Sequence, residues 1–146
     1  MLGEGNVATL AGVEAERIEL VRCTLLIAAP APCVLATQVK GLGSLQLVKR
    51  IIAFGDGLLQ RSPYIRIFHD FSEVEGYKSN ARKELVDWGV RRRGEIRDTN
   101  VLFRSKVVAL GITLATVLLK DQVVGYSSRP QFEAARRRAI LESPGV

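Results

Sequence analysis

From Tyr64 onward, short apolar runs alternate with segments of helical period, and this alternation restricts the fold more than any other feature of the chain. Tyr64 to Phe71 is a dense apolar run that follows the turn signal Ser62-Pro63, as expected of a central strand buried on both faces. A loop over Glu73 to Lys78 leads to a helix that Ser79 or Asn80 can cap. Its inner face would carry Ala81, Leu85 and Trp88, and Gly94 is placed to stop it after about Arg93. Asn100 to Arg104 reads as a short strand, Lys106 to Lys120 as a helix and Gln122 to Tyr126 as another strand. The last helix begins near Pro130 and turns Phe132, Ala135, Ala139 and Ile140 inward. Strand and helix in strict succession predict parallel strands joined by right-handed crossovers.

The N-terminal half has a different pattern. Ile18 to Ala29 and Cys33 to Val39 are β-rich runs flanking the breaker Pro30-Ala31-Pro32, which predicts a β-hairpin. Gly41-Leu42-Gly43 reads as a tight turn before a helix capped by Ser44, with Leu45, Val48, Ile51 and Ile52 on one face. Gly55-Asp56-Gly57 is expected to end or interrupt that helix. Residues 1–17 are small and weakly patterned, so a flexible N-terminus is expected there, followed by one domain over 18–146. With 146 residues and 47% hydrophobic content, the chain has enough apolar surface for one core but not for two.

Twenty-one Lys and Arg against 15 Asp and Glu give a net charge of +6. The excess lies in two segments, Ala81 to Lys106 and Arg129 to Ile140. Arg91, Arg92 and Arg93, and then Arg136, Arg137 and Arg138, could offset helix C-termini or form an anionic docking surface, including a peripheral contact with an anionic membrane. Nucleic acid is a poor fit, because few aromatics remain for a recognition surface once the core is supplied. Met1 to Asn6 lacks a basic region and an apolar run, which argues against a secretory signal, and Cys23 and Cys33 read as buried reduced thiols; both features suggest the cytoplasm. The apolar stretch Val107 to Leu119 is too short to cross a bilayer and is expected to be a buried core helix.

Catalytic chemistry is hard to assemble. His69 is the only histidine and is followed directly by Asp70, but neighbours on a strand point to opposite faces, so the two cannot orient each other as a triad. No further His or Cys completes a metal set. In the Gly41-x-Gly43 turn, Gln46 stands where a third glycine would be needed to cradle a nucleotide. Asp70, at the carboxyl end of a central strand, could face a ligand or fix a loop.

The segment Phe68-His69-Asp70-Phe71-Ser72-Glu73-Val74-Glu75-Gly76-Tyr77 resembles the signature loop of SpoIIAA-like proteins, which are related in fold to STAS domains. In that family a buried strand ends in Asp, and a Gly-Tyr pair leads into a helix holding an aromatic such as Trp88. The downstream order is similar too: a strand at Val101, an apolar helix after Arg104-Ser105-Lys106, a strand, and a closing helix with Glu133-Ala134. The resemblance covers about Tyr64 to Ile140, and the hairpin and first helix more loosely.

It implies an α/β SpoIIAA-like (STAS) domain with an N-terminal hairpin and a mostly parallel sheet covered by about four helices. It further implies a bacterial, cytoplasmic, non-enzymatic regulatory module that binds a protein partner without cofactor or metal. Its interaction loop would comprise Asp70, Ser72, Glu73, Gly76, Tyr77, Lys78, Asn80 and Arg82. Ser79 is similar in position to the acceptor serine of phospho-switched members, although Lys78 stands where they carry Asp, and Ser79 could instead serve only as a helix cap. SpoIIAA-like proteins are also similar in fold to Sec14-type lipid-binding domains. The alternative is therefore a carrier or sensor of a small apolar or lipid ligand, with Val107 to Leu119 as a wall of its pocket.

Overall fold

Two-residue turns build the N-terminal half of the computed structural model, which describes residues 7–145. Strands β1 (Val7–Leu10) and β2 (Val13–Leu20) meet at Ala11-Gly12, where both φ angles are positive, the backbone pattern whose twist suits a tight hairpin. Val21-Arg22 links β2 to β3 (Cys23–Ala31), and Pro32-Cys33 links β3 to β4 (Val34–Gly43), giving a four-stranded antiparallel meander. This corrects two expectations. Residues 7–10 and 13–17 are strand, joined by the turn at Ala11-Gly12, rather than weakly structured, while residues 1–6 of that segment lie outside the described residues. The run from Ile18 to Ala29 is two strands, broken where Val21 stands 84% exposed; only β3 and β4 form the hairpin expected. A strand near the sheet edge needs little apolar content, and β2 buries only Ala15 and Ile18 among Glu14, Glu16, Arg17 and Glu19.

From β4 onward the chain follows the predicted alternation: α1 (Leu45–Leu59), β5 (Ile65–Tyr77), α2 (Ser79–Arg91), β6 (Ile96–Leu102), α3 (Lys106–Leu119), β7 (Val123–Tyr126) and α4 (Arg129–Glu142). The strands lie in one sheet in sequence order, and β4 to β7 are parallel. Alternation along β5 then sorts the core. Ile65 and Ile67 join Leu25, Leu35, Ile51 and Trp88 under α1 and α2, whereas Phe68 joins Val34, Leu102, Phe132 and Ala139 under α4 on the opposite face. Phe132 is fully buried and meets Phe68 and Tyr126 edge-on, with centroids 5.9 and 5.7 Å away. Ser44, Ser105 and Ser128 each accept the N–H of the residue three positions on, capping α1, α3 and α4.

Five local readings differ from the structure. The loop expected over Glu73 to Lys78 is strand as far as Tyr77, and the turn expected at Gly41-Leu42-Gly43 is strand as well. The two extensions pair with each other, Lys40 with Glu73 and Gly43 with Tyr77, across register shifts that Gly41 absorbs at φ 97°. Gly55-Asp56-Gly57 does not interrupt α1, because its role is tertiary. A Cβ on Gly55 would lie 2.5 Å from the Trp88 ring, and Asp56 Oδ1 accepts the Trp88 indole N–H at 2.9 Å. Neither Ser79 nor Asn80 caps α2; Lys78 holds that position and makes no side-chain bond. Finally, α3 is buried on one face only. Leu110 and Val117 are 59% and 70% exposed, and Val107, Leu114 and Leu118 are exposed beside them.

Candidate functional site

Between the sheet and the α2–α3 pair lies a cavity of about 130 Å³. Trp88 and Leu85 line it from α2, Ile112 and Ala115 from α3, and Ile67 and Val101 from the sheet. Besides Trp88, the lining residues with polar side chains are His69, Tyr77, Arg82 and Thr99. The helices come close to the sheet because Gly111 gives way to the Tyr77 ring: a Cβ there would sit 2.7 Å from the phenol oxygen. Tyr77 Oη donates to the Val107 carbonyl at 3.1 Å, latching the end of β5 to the first turn of α3. At the far end, Arg93 donates to the Leu118 carbonyl.

His69 is the one histidine of the chain and is 1% exposed. Its Nδ1 lies 2.7 Å from the Thr37 hydroxyl, its ring stacks on Phe71 at 4.7 Å, and Nε2 has no partner. Among the described residues it is the only buried side-chain nitrogen or oxygen left unsatisfied. An orphaned buried donor or acceptor costs about 1–3 kcal/mol. Burial also pushes the imidazole pKa down to about 3, so the ring is neutral at physiological pH. Thr37 comes from β4 and was not among the residues singled out from the sequence. It reaches His69 because the parallel register sets the two directly opposite.

Asp70 points to the other side of the sheet, as alternation requires. Burial by itself would raise its pKa, but the Ser72 hydroxyl at 2.6 Å, the Ser72 N–H and Arg129 outweigh burial and hold it below the usual carboxylate range. Arg129, in the first turn of α4, donates to Asp70 Oδ2 at 3.0 Å and to Ser72 Oγ at 2.9 Å. The Asp70 carboxylate is a fixing point for α4, and the sequence offered no cue to Arg129 as its partner.

The remaining loop residues are spread over the surface. Glu73 pairs with Lys40 at 3.7 Å, Gly76 packs beneath Leu42, and Lys78, Ser79 and Asn80 are exposed. Tyr77 and Arg82 line the cavity. The arginine triplets are not equivalent. Arg92 binds Asp56 of α1 and Glu95, and Arg93 holds Leu118 of α3, so these two join α2 to its neighbours, whereas Arg91 lies 3.9 Å from Glu84 within α2. Arg136, Arg137 and Arg138 sit within α4 rather than at its end; Arg136 lies over the Phe132 ring, while Arg137 and Arg138 are exposed. Cys23 and Cys33 are buried free thiols. No described helix is long and apolar enough to cross a membrane, and no metal-ligating cluster occurs among the described residues.

The seven-stranded sheet with three helices on one face and one on the other defines a mixed α/β domain with a SpoIIAA-like fold. It is similar to an uncharacterised protein of the DUF3478 family with a SpoIIAA-like fold from Shewanella loihica PV-4. The TM-score is 0.56 and the identity 10%, over 83% of this chain and 90% of that one. No protein-family model and no curated protein matches the sequence.

Proposed function

We propose that this domain is a non-enzymatic regulatory module that senses or carries a small apolar ligand held between the sheet and the α2–α3 pair. The supporting observation is the cavity itself. Its lining is largely apolar, so an apolar occupant would gain about 25 cal/mol for each Å² it buries there. Its lining is chosen for burial rather than for reaction, since His69 and Asp70 face opposite sides of the sheet.

The regulatory part of the reading rests on the outer surface of the same two helices. Val107, Leu110, Leu114, Val117 and Leu118 form an apolar ridge on the outside of α3, the kind of surface a protein partner covers. Ser79 stands exposed at the start of α2, and a phosphate there would bring about −1.5 to −2 charges to a helix end without a side-chain cap. Exposed Arg137 and Arg138 offer cationic groups to an anionic partner on the other face. Occupancy of the cavity thus lies directly beneath the surface a partner would read.

Thermal unfolding with ring-sized apolar molecules tests the proposal. A ligand at a hundred times its Kd should raise Tm by roughly 5–10 °C. A Tm unchanged by benzene, toluene and their homologues at saturation would contradict it.

A further inference from the structure

The outer side of α3 carries a pattern that the wall of a cavity does not need. Val107, Leu110, Leu114 and Val117, at spacings of three, four and three residues, form one seam and are 45%, 59%, 41% and 70% exposed. Such spacing averages 3.5 residues, the period with which one helix packs along another. A helix lying on a lipid surface has a wider apolar face, often with aromatic anchors, beside a basic one, whereas α3 has neither a charged nor an aromatic residue between Lys106 and Lys120.

The order along the seam, Val-Leu-Leu-Val, reads the same in both directions. A two-fold axis crossing it midway between Leu110 and Leu114 sets Val107 against the partner's Val117 and Leu110 against the partner's Leu114, so every layer matches like with like, as a closed isologous interface requires. The ends choose the direction. The first turn of α3 holds Lys106 and no acidic residue, and its last turn holds no basic one. A parallel pair would bring two such N-termini together, while an antiparallel pair places Lys106 toward the carbonyl end of the partner's helix, where Lys120 and Asp121 offset each other.

Position and area agree with this pairing. α3 is the last of the three helices on its face of the sheet and packs against β7, the terminal strand, so no further helix of that row flanks it. Together with Leu118 beside it, the seam exposes about 450 Å², the size of patches that serve function on single domains. Two copies would bury about 900 Å² in total, the size of a weak, reversible interface.

We propose, building on the reading of this ridge as a partner surface, that the partner is a second copy of the chain, joined through antiparallel α3 helices in a reversible two-fold dimer.

Sedimentation velocity of the wild type from about 5 to 500 µM should show the mass rising from that of one chain toward that of two. Leu110 is exposed, so Leu110→Glu leaves the fold in place, yet in the dimer it buries two carboxylates against leucine; the Kd of dimerisation should rise at least about tenfold. Thiol cross-linking reads the register. Thr113 is exposed beside the seam and adjoins its own copy across the antiparallel axis, whereas Val107 lies about 15 Å from its own copy. A short bifunctional maleimide should therefore join Thr113→Cys but not Val107→Cys, with Cys23 and Cys33 protected by burial. A wild type that stays monomeric, a dimer that Leu110→Glu leaves intact, or cross-linking of Val107→Cys in place of Thr113→Cys would each overturn this inference and leave the ridge to a different protein. Vesicles of equal phosphatidylglycerol and phosphatidylcholine separate the two readings: a monomer that binds them, and loses that binding with Leu110→Glu, would overturn the partner-surface reading as well.

Discussion

Unfolding free energy should fall as the pH is lowered from 6.5, with a slope approaching about 1.4 kcal/mol per pH unit that largely disappears in Thr37→Val/His69→Phe. The cause is the buried imidazole. His69 resists protonation in the folded state down to about pH 3, whereas in the unfolded chain it takes up a proton below about 6.5. Its contribution is therefore fully present above 6.5 and is lost as the pH falls toward 3. No second histidine blurs the profile. Asp70 works in the same direction, but only lower down. Its folded pKa is depressed, so the stability it lends is present above the ordinary carboxylate range and disappears beneath it. Urea unfolding at half-unit intervals from pH 7 to 4.5 separates the two, and a curve that stays flat between 6.5 and 5 would show that His69 is hydrated or paired.

Trp88→Ala should destabilise the domain by about 3–5 kcal/mol, among the largest losses any single truncation here can produce. Trp88 is 2% exposed and ties α2 to α1: its ring fills the notch at Gly55, its indole N–H is held by Asp56, and its ring also lines the cavity. Removing it merges the space it occupied with that cavity, so little collapse offsets the loss. Trp88→Phe, which keeps most of the ring packing but leaves Asp56 with Arg92 alone, should lose less. Midpoints of urea unfolding measure both, with an unchanged m value expected if only the native packing is affected. A loss below 1 kcal/mol in Trp88→Ala would mean that α1 and α2 are not coupled through this side chain.

The parts of the structure that were legible in the sequence are those fixed by periodicity. The parallel β5 to β7 region, the inward faces of α2 and α4, and the cap at Ser44 each follow from spacing within one segment, as do the opposite orientations of His69 and Asp70. The Phe68 to Tyr77 segment pointed to the SpoIIAA-like fold that the structure shows. What was not legible depends on pairs far apart in the chain. Gly55-Asp56-Gly57 looks like a helix stop until Trp88, 32 residues on, is found hydrogen-bonded to Asp56. Gly41 to Gly43 and Glu73 to Tyr77 each look like loop until they are paired with each other. β1 and β2 carry too few buried residues to announce themselves, and their turn is made by Ala11-Gly12 rather than by a stronger hairpin dipeptide.

The candidate site shows the same division. The pattern of Val107 to Leu119 fits either a core helix or a pocket wall; the helix is half wall and half exposed ridge, a distinction that depends on how α2 and Tyr77 set its rotation. The sequence presents His69 only as a candidate catalyst, because its partner Thr37 is brought opposite it by the β4–β5 register alone. Ser79 opens α2 as its first residue, and Lys78 rather than Ser79 holds the cap position.

Intermolecular NOEs from benzene to the methyl-labelled protein decide most directly whether the space beneath α2 and α3 is a binding site. Contacts to Ile67, Val101 and Ile112, on the cavity wall, are the predicted result. Contacts confined to Leu110, Leu114 and Val117 on the outer ridge of α3, with the wall silent, would contradict it.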